Sequence, residues 1–202
     1  MKIAIVDYNA GNVQSVLYAL QRLGVHASVT SNHEEIISAE KVIFPGVGNA
    51  GSAMKFLRDK QLHTLIASLT QPVLGICLGL QLMCQHSEEE DTDCLGIFDV
   101  NVRRFENNQS SATNGTQKIP HMGWNTISHL RSRLFTGIEE NSFVYNVHSF
   151  YAEKCNDTIA TTNYIVPYSA ALHKCNFYGV QFHAEKSAAA GEKIISNFLN
   201  LS

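Results

Sequence analysis

The chain has 202 residues, 45% of them hydrophobic and 16% charged, with a formal net charge of −3 at pH 7. That length suits one large domain over residues 1–202 with a core of its own, and the mild negative balance gives no basic footprint for nucleic acid. No apolar run approaches the ~18 residues of a membrane span, and the five cysteines, odd in number and without a C-x-x-C pair, argue for a reducing cytoplasm over a disulfide framework.

The apolar run near Met1 is too short for a signal peptide, and Lys2 to Asp7 reads as a strand ending in the polar turn Tyr8-Asn-Ala-Gly-Asn12. Apolar residues at 13, 16, 17, 20 and 23 have helical spacing, and Gly24 stops that helix. His26 to Thr30 is a second strand, Glu34 to Ala39 a short helix, and Lys41 to Phe44 a third strand ending in Pro45-Gly-Val-Gly48. Helices over Ala50 to Arg58 and Leu62 to Leu69 lead to a fourth strand, Val73 to Ile76, and a helix running on to His86. Strands alternating with helices predict βαβ units on a parallel sheet, whose ligands sit at the carboxyl ends of the strands. That edge carries Asn9 to Asn12, Pro45 to Gly48 and Cys77.

The second half changes character. Ile97 to Phe105 reads as a strand, Asn107 to Gln117 as an exposed polar loop, and Ile119-Pro-His-Met-Gly-Trp-Asn125 as a mixture holding the only Trp. Phe143 to His148, Thr158 to Thr162, Ser169 to His173 and Phe177 to Phe182 have strand character with short connections, which adds an antiparallel portion to the sheet. Ser187 is placed to cap a last helix that reaches Leu199. The expected fold is α/β: a single domain with a mostly parallel central sheet flanked by helices.

Cys77 stands where the fourth strand turns into a helix, with Gly75 and Gly79 two positions away on either side. Glycines suit a corner where backbone and helix approach closely, and the frame is the cysteine counterpart of the Gly-x-Ser-x-Gly elbow. A thiol at a helix N-terminus meets unpaired N–H groups and the positive end of the macrodipole, which favour thiolate, and the same N–H groups suit an oxyanion. The competing reading is a small buried core residue. A nucleophile needs a base, and the base an orienting group. Of nine histidines, His26, His33, His63 and His129 have surface character, His86 suits a helix C-terminus, and His173 sits mid-strand. His121, His148 and His183 remain. In His183-Ala-Glu185 the two side chains, two residues apart near a strand end, can project to one side; Lys186 could equally make Glu185 an ordinary surface ion pair. The scattered cysteines lack zinc-ligand spacing, so no metal is expected, and no G-x-G-x-x-G or G-K-[ST] supports nucleotide binding.

Gly75-Ile-Cys77-Leu-Gly79 and Gln181-Phe-His183-Ala-Glu185-Lys-Ser187 resemble the signatures of class I, triad-type glutamine amidotransferases. Asp7-Tyr-Asn-Ala-Gly-Asn12, Pro45-Gly-Val-Gly48, Pro120-His-Met-Gly-Trp-Asn125 and Val147-His-Ser-Phe150 are similar to the glutaminase subunits of imidazole glycerol phosphate synthase, an enzyme of histidine biosynthesis. The likeness runs in order over essentially the whole chain. It implies that Cys77 attacks the glutamine carboxamide, His183 moves the proton and Glu185 orients His183. The N–H of Leu78 and one near Val47 would hold the oxyanion, the Val47 loop rearranging on activation. Gly48, Gln81, Ser149 and Phe150 match positions that hold glutamine. It further implies no cofactor, and a (β/α)8-barrel cyclase subunit as the partner that takes the ammonia in a heterodimer, with Asn12, His121, Trp124, Asn125 and Lys186 on or near the docking face. Core packing is the alternative for Trp124. Two departures stand out. Position 184 is Ala where the family usually has Pro, so the φ of that residue is not enforced and Glu185 is expected to be held less firmly. Phe150 lacks the hydroxyl of the Tyr often found there. Competing functions are ammonia supply to another acceptor, a non-catalytic binding module on the same fold, or a cysteine peptidase or chaperone.

Overall fold

The computed structural model describes residues 1–9, 11–106 and 118–201; the expected loop at 107–117 lies outside them. The first half follows the expected order, with every boundary within two residues: β1 (Ile3–Val6), α1 (Val13–Arg22), β2 (Ala27–Thr30), α2 (His33–Ile37), β3 (Lys41–Phe44), α3 (Ala50–Asp59), α4 (Leu62–Ala67) and β4 (Val73–Ile76). Local chemistry fixes several ends. The Asn32 and Asn49 side chains accept from Glu35 N and Ser52 N, each 3.0 Å away, and so start α2 and α3. Gly24, at φ 72°, closes α1.

Later come β11 (Thr158–Tyr164), β12 (Val166–Lys174), β13 (Phe177–Val180) and α6 (Ala188–Leu199). The main sheet has seven strands in the order β11-β12-β13-β4-β3-β1-β2. The run from β13 to β2 is parallel, and β11 and β12 are the antiparallel addition. Alternate strand residues enter two separate cores. Ala4, Val6, Val42 and Phe44 pack with Met54, Leu57 and Ile66 of α3 and α4; Ile3, Ile5, Ile43 and Leu74 pack with Leu20 of α1 and Ile194 and Phe198 of α6. Both faces of the central strands are covered, as a parallel sheet requires.

Three expectations are corrected. The helix after Cys77, α5 (Leu78–Met83), stops before His86. Backbone N–H groups of Leu95, Ile97 and Gly96 take the carbonyls of Leu82, Met83 and Cys84 at 2.8–2.9 Å, so the helix end is satisfied from a distant segment and need not continue. His86 lies instead in β5 (His86–Ser87), its ring beside the carboxylates of Asp91 and Asp93. The expected strand Ile97 to Phe105 contracts to β7 (Asn101–Arg104), which joins β5, β6 (Thr92–Asp93) and β10 (Phe150–Ala152) in a small second sheet. Ser187 precedes α6 but caps nothing: its hydroxyl donates to the His183 carbonyl, 2.6 Å away. The Trp-bearing segment forms β8 (His121–Ile127), paired with β9 (Ser142–His148) as a two-stranded ribbon. No helix among the described residues is long and apolar enough to cross a membrane.

Among the described glycines, Gly79 brings α5 closest onto the backbone of a neighbouring element, β3. A Cβ built on Gly79 would lie 1.8 Å from the Phe44 carbonyl oxygen, a backbone atom that cannot swing away. Gly79→Ala is therefore expected to cost about 3 kcal/mol or more, the upper range for overpacking, read as a lower urea midpoint at unchanged slope.

Candidate active site

Cys77 occupies the sharp corner its glycine frame suggests. Its backbone has φ 53° and ψ −108°, a sparsely populated conformation costing about 1–3 kcal/mol unless its surroundings fix it. They do: Cys77 N donates to Val180 O at 2.8 Å, extending the β4–β13 ladder, and Cys77 O accepts from Gln81 N at 3.2 Å in the first turn of α5. Gly75 lets α5 fold back onto its own strand, since a Cβ there would stand 2.8 Å from the backbone of Gly79 and Leu80. Cys77 is 6% exposed.

His183 follows β13, the parallel neighbour of β4, which is why residues a hundred positions apart meet. Its N–H donates to Tyr145 O at 2.8 Å, and its carbonyl accepts from the Ser187 hydroxyl and from Lys186 N. Nδ1 lies 2.7 Å from Glu185 Oε1, which leaves Nε2 for Cys77 on the wall of the same cavity. Burial acts to lower the His183 pKa, but the neighbouring Cys77 and Glu185 more than reverse this and raise it to about 10. The Glu185 side chain is fully buried, so it is no surface partner of Lys186, which is exposed.

Asn12, expected on a docking face, turns its side chain inward. Its Nδ2 donates to Glu185 Oε1, the oxygen that also meets His183. Glu185 Oε2 has no hydrogen-bond partner among the described residues, so Asn12 and His183 together compensate the buried carboxylate. Ala184, where the family usually has Pro, is 2% exposed within a short 3-10 turn, Ala184–Lys186.

Cys77 and His183 open into a cavity of about 360 Å³ whose lining includes Val47, Gly48, Gln81, Ser149 and Phe150, a volume in the range of small-molecule sites. Gln81 is partly committed: its Nε2 donates to Phe150 O at 2.9 Å and to Gln181 Oε1 at 3.0 Å, leaving Oε1 as its free polar atom. Two residues that no single motif role marked also matter. Gln181 is fully buried, with Nε2 3.7 Å from Cys77 Sγ; it stood in the quoted C-terminal signature, two places before the histidine. Glu89 also lines the cavity, tethered by Ala50 N at 2.8 Å, and burial raises its pKa; nothing in its Glu-rich sequence setting distinguished it.

The two expected oxyanion donors do not converge. Leu78 N–H donates to the carbonyl of Gly46 at 3.3 Å. The Gly46–Val47 peptide is trans, so with its carbonyl toward Leu78 its N–H faces the opposite way. The Val47 carbonyl in turn accepts from Gly11 N at 3.4 Å. Of the other expected docking residues, Trp124 is 52% exposed and meets Tyr145 edge-on, which removes the core-packing alternative. Asn125 is half-buried, whereas His121 is 3% exposed and stacks on Tyr164. Among the described residues no group of three or more His, Cys, Asp or Glu is placed to hold a metal.

The model of the family "Glutamine amidotransferase class-I" matches residues 4–201. The chain is 57% identical, over all of both chains, to imidazole glycerol phosphate synthase subunit HisH of Bacteroides thetaiotaomicron. To the subunit of the same name from Shewanella sediminis it is 48% identical over 98% of this chain and 89% of the relative. Among solved structures, PurLQS from Thermotoga maritima superposes with a TM-score of 0.68 at 18% identity, covering 98% of this chain and 97% of that one. A glutamine amidotransferase from Thermotoga maritima superposes with a TM-score of 0.64 at 16% identity, covering 99% and 83%. The structural likenesses bear on the fold alone; with a family match that spans nearly every residue, the chain belongs to the class-I glutamine amidotransferases.

Proposed function

We propose that this chain is the glutaminase subunit of an imidazole glycerol phosphate synthase, a single amidotransferase domain that hydrolyses glutamine and hands the ammonia to a cyclase subunit in histidine biosynthesis. The observation that carries the reading is that Cys77 and His183 line one cavity of about 360 Å³, with Glu185 buried behind His183, 2.7 Å from its Nδ1. Cys77 sulfur attacks the carboxamide carbon. His183 gives its proton to the departing nitrogen, ammonia leaves, and a thioester remains. His183 then takes a proton from water as the oxygen adds, the C–S bond breaks, and glutamate is released. Glu89, a carboxylate on the cavity wall, suits the α-ammonium of a free amino acid. Gly48, Gln81 Oε1 and the backbone at Ser149 and Phe150 form the rest of the substrate site.

Leu78 N–H and, after a turn of the loop, Val47 N–H are the oxyanion donors. The Gly46 carbonyl now on Leu78 N–H supports a resting state that the partner switches on. That partner is a (β/α)8-barrel subunit in a cytoplasmic heterodimer, seated by exposed Trp124 and Lys186 with Asn125. Ammonia released into water becomes ammonium, which is no nucleophile, so direct transfer is chemically required. Glutamate release is the test: low for the chain alone, strongly raised with the cyclase and its nucleotide ligand, and abolished in Cys77→Ala. Equal rates with and without the cyclase and its ligand would overturn the partner-switched reading, and no release in either would overturn the enzyme.

Two further outcomes follow from the triad. Asn12→Ala removes a charge-assisted hydrogen bond from Glu185 and should lower kcat about tenfold, with KM little changed; steady-state kinetics of the complex measure it. The pH dependence of stability has a definite sign. His183 titrates at about 10 in the fold against 6.5 as its ordinary value, so its protonated form stabilises the native state fully below the lower value. That contribution drains away as pH rises through the upper one. Thermal midpoints of the wild type should therefore fall more steeply between neutral pH and the upper value than those of Glu185→Gln, in which the imidazolium has lost its carboxylate.

A further inference from the structure

On the cavity wall and just behind it stand two buried histidines that the triad chemistry does not use: His148 lines the cavity, and His121 does not. His121 opens β8 and His148 closes β9, and the two are cross-strand partners. Both are almost fully buried, in contact with Tyr164, Tyr168 and Phe105. Their hydrogen bonds can be assigned a direction. His148 Nδ1 is 2.7 Å from the Phe150 carbonyl oxygen, which only accepts, so Nδ1 carries the hydrogen. Burial lowers the pKa of His148 to about 3 and of His121 to about 4, so both rings are neutral at pH 7 and each has one bare nitrogen. His148 Nε2 is bare, and the donor it meets is the Tyr168 hydroxyl at 3.2 Å. That uses the only hydrogen Tyr168 has. Its oxygen must then accept from His121 Nδ1, also 3.2 Å away. His121 Nε2 is left bare and faces Asn125 Nδ2 at 3.3 Å, whose other hydrogen bond goes to Asn163 O.

Each link thus donates toward the cavity: Asn125 to His121, His121 to Tyr168, Tyr168 to His148, His148 to Phe150. At the Phe150 carbonyl this line meets a second one. Gln81 donates to the same oxygen and to Gln181, whose amide faces Cys77 Sγ. Two donors from opposite sides fill both lone pairs of that carbonyl and fix its direction.

We propose that His121, Tyr168 and His148 are positioning residues, a one-directional hydrogen-bond relay that holds the Phe150 segment as the wall of the glutamine cavity. None of the three touches the reacting atoms; they act on substrate affinity through Phe150 and Gln81. The claim about affinity rests on the glutaminase reading above, whereas the direction of the relay does not.

The test has two arms. Nitrogen-15 NMR of the histidine rings in the wild-type chain should show His121 and His148 as neutral Nδ1–H tautomers across neutral pH. Nε2–H tautomers, or rings that titrate there as free histidine does, would overturn the relay whether or not the chain is a glutaminase. In the complex with the cyclase, Tyr168→Phe deletes one hydroxyl and strands two ring nitrogens. The KM for glutamine should rise about tenfold, with kcat and the rate of Cys77 alkylation by iodoacetamide essentially unchanged. An unchanged KM, or kcat and alkylation falling along with it, would sink the positioning role. Should Tyr168→Phe fail to fold, His148 decides. Asn at that position sets an amide N–H where Nδ1–H was, so His148→Asn should bind glutamine more tightly than His148→Ala. Equal KM values for the two would again overturn the proposal.

Discussion

Everything at the site follows from how closely α5 is pressed onto the sheet. Without a Cβ at Gly75 and Gly79, helix backbone lies directly against the backbone of β3 and β4. The strand then has no room for a gradual exit, and the chain must reverse within one residue. Cys77 is that residue, and its positive φ follows from the packing on either side of it. The corner also sets the depth of the thiol. A looser helix would carry Cys77 outward, away from the end of β13 where His183 emerges. The proposed nucleophile and base are thus aligned by neighbouring parallel strands, and the loops around them are free to serve specificity.

The triad raises a second issue, a fully buried carboxylate. A charge out of water is costly unless paired and hydrogen-bonded. Here the cost is offset by an imidazolium on one side and the Asn12 amide on the other. This gives physical content to the substitution at position 184. A proline there would restrain the backbone that presents Glu185; with alanine, the restraint comes from the side chain of Asn12 and from Ser187, which ties down the His183 carbonyl. The constraint has been moved from the covalent chain to its neighbours.

How much of this was legible beforehand depends on how local each signal was. The alternation of strands and helices, the glycine-framed elbow and the His-x-Glu spacing are carried by residues within a few positions of one another, and all lie where periodicity and glycine placement put them. The early end of α5 was not legible, because the groups that satisfy Leu82, Met83 and Cys84 come from Leu95 to Ile97, in the irregular stretch after β6. Ser187 looked like a cap since serine before an apolar run usually is one, yet its hydroxyl donates to the His183 carbonyl and accepts from Tyr145 N, 2.9 Å away on β9. Asn12 reaches Glu185 across 173 positions, and only the completed sheet brings them together. The inward orientation of His121 was hidden for a related reason: a strand offers two faces, and nothing in Pro120 to Asn125 says which one is turned to the core.

The loop carbonyl on Leu78 N–H has one more consequence. In the proposed mechanism the chain occupies its own oxyanion site with an internal competitor, present at fixed stoichiometry and held by a single neutral hydrogen bond. Such a bond is worth only about 0.5–1.5 kcal/mol net, so it can hold back turnover by about tenfold at most. It therefore works as a shallow latch. A partner needs little differential affinity to open it, and thermal opening sets a floor of leakage that no tightening of the triad removes. Whatever further restraint the resting protein has must come from how far the Gly46–Val47 peptide has to turn, which makes the glycines beside Val47 control elements of nitrogen flow as much as parts of a turn.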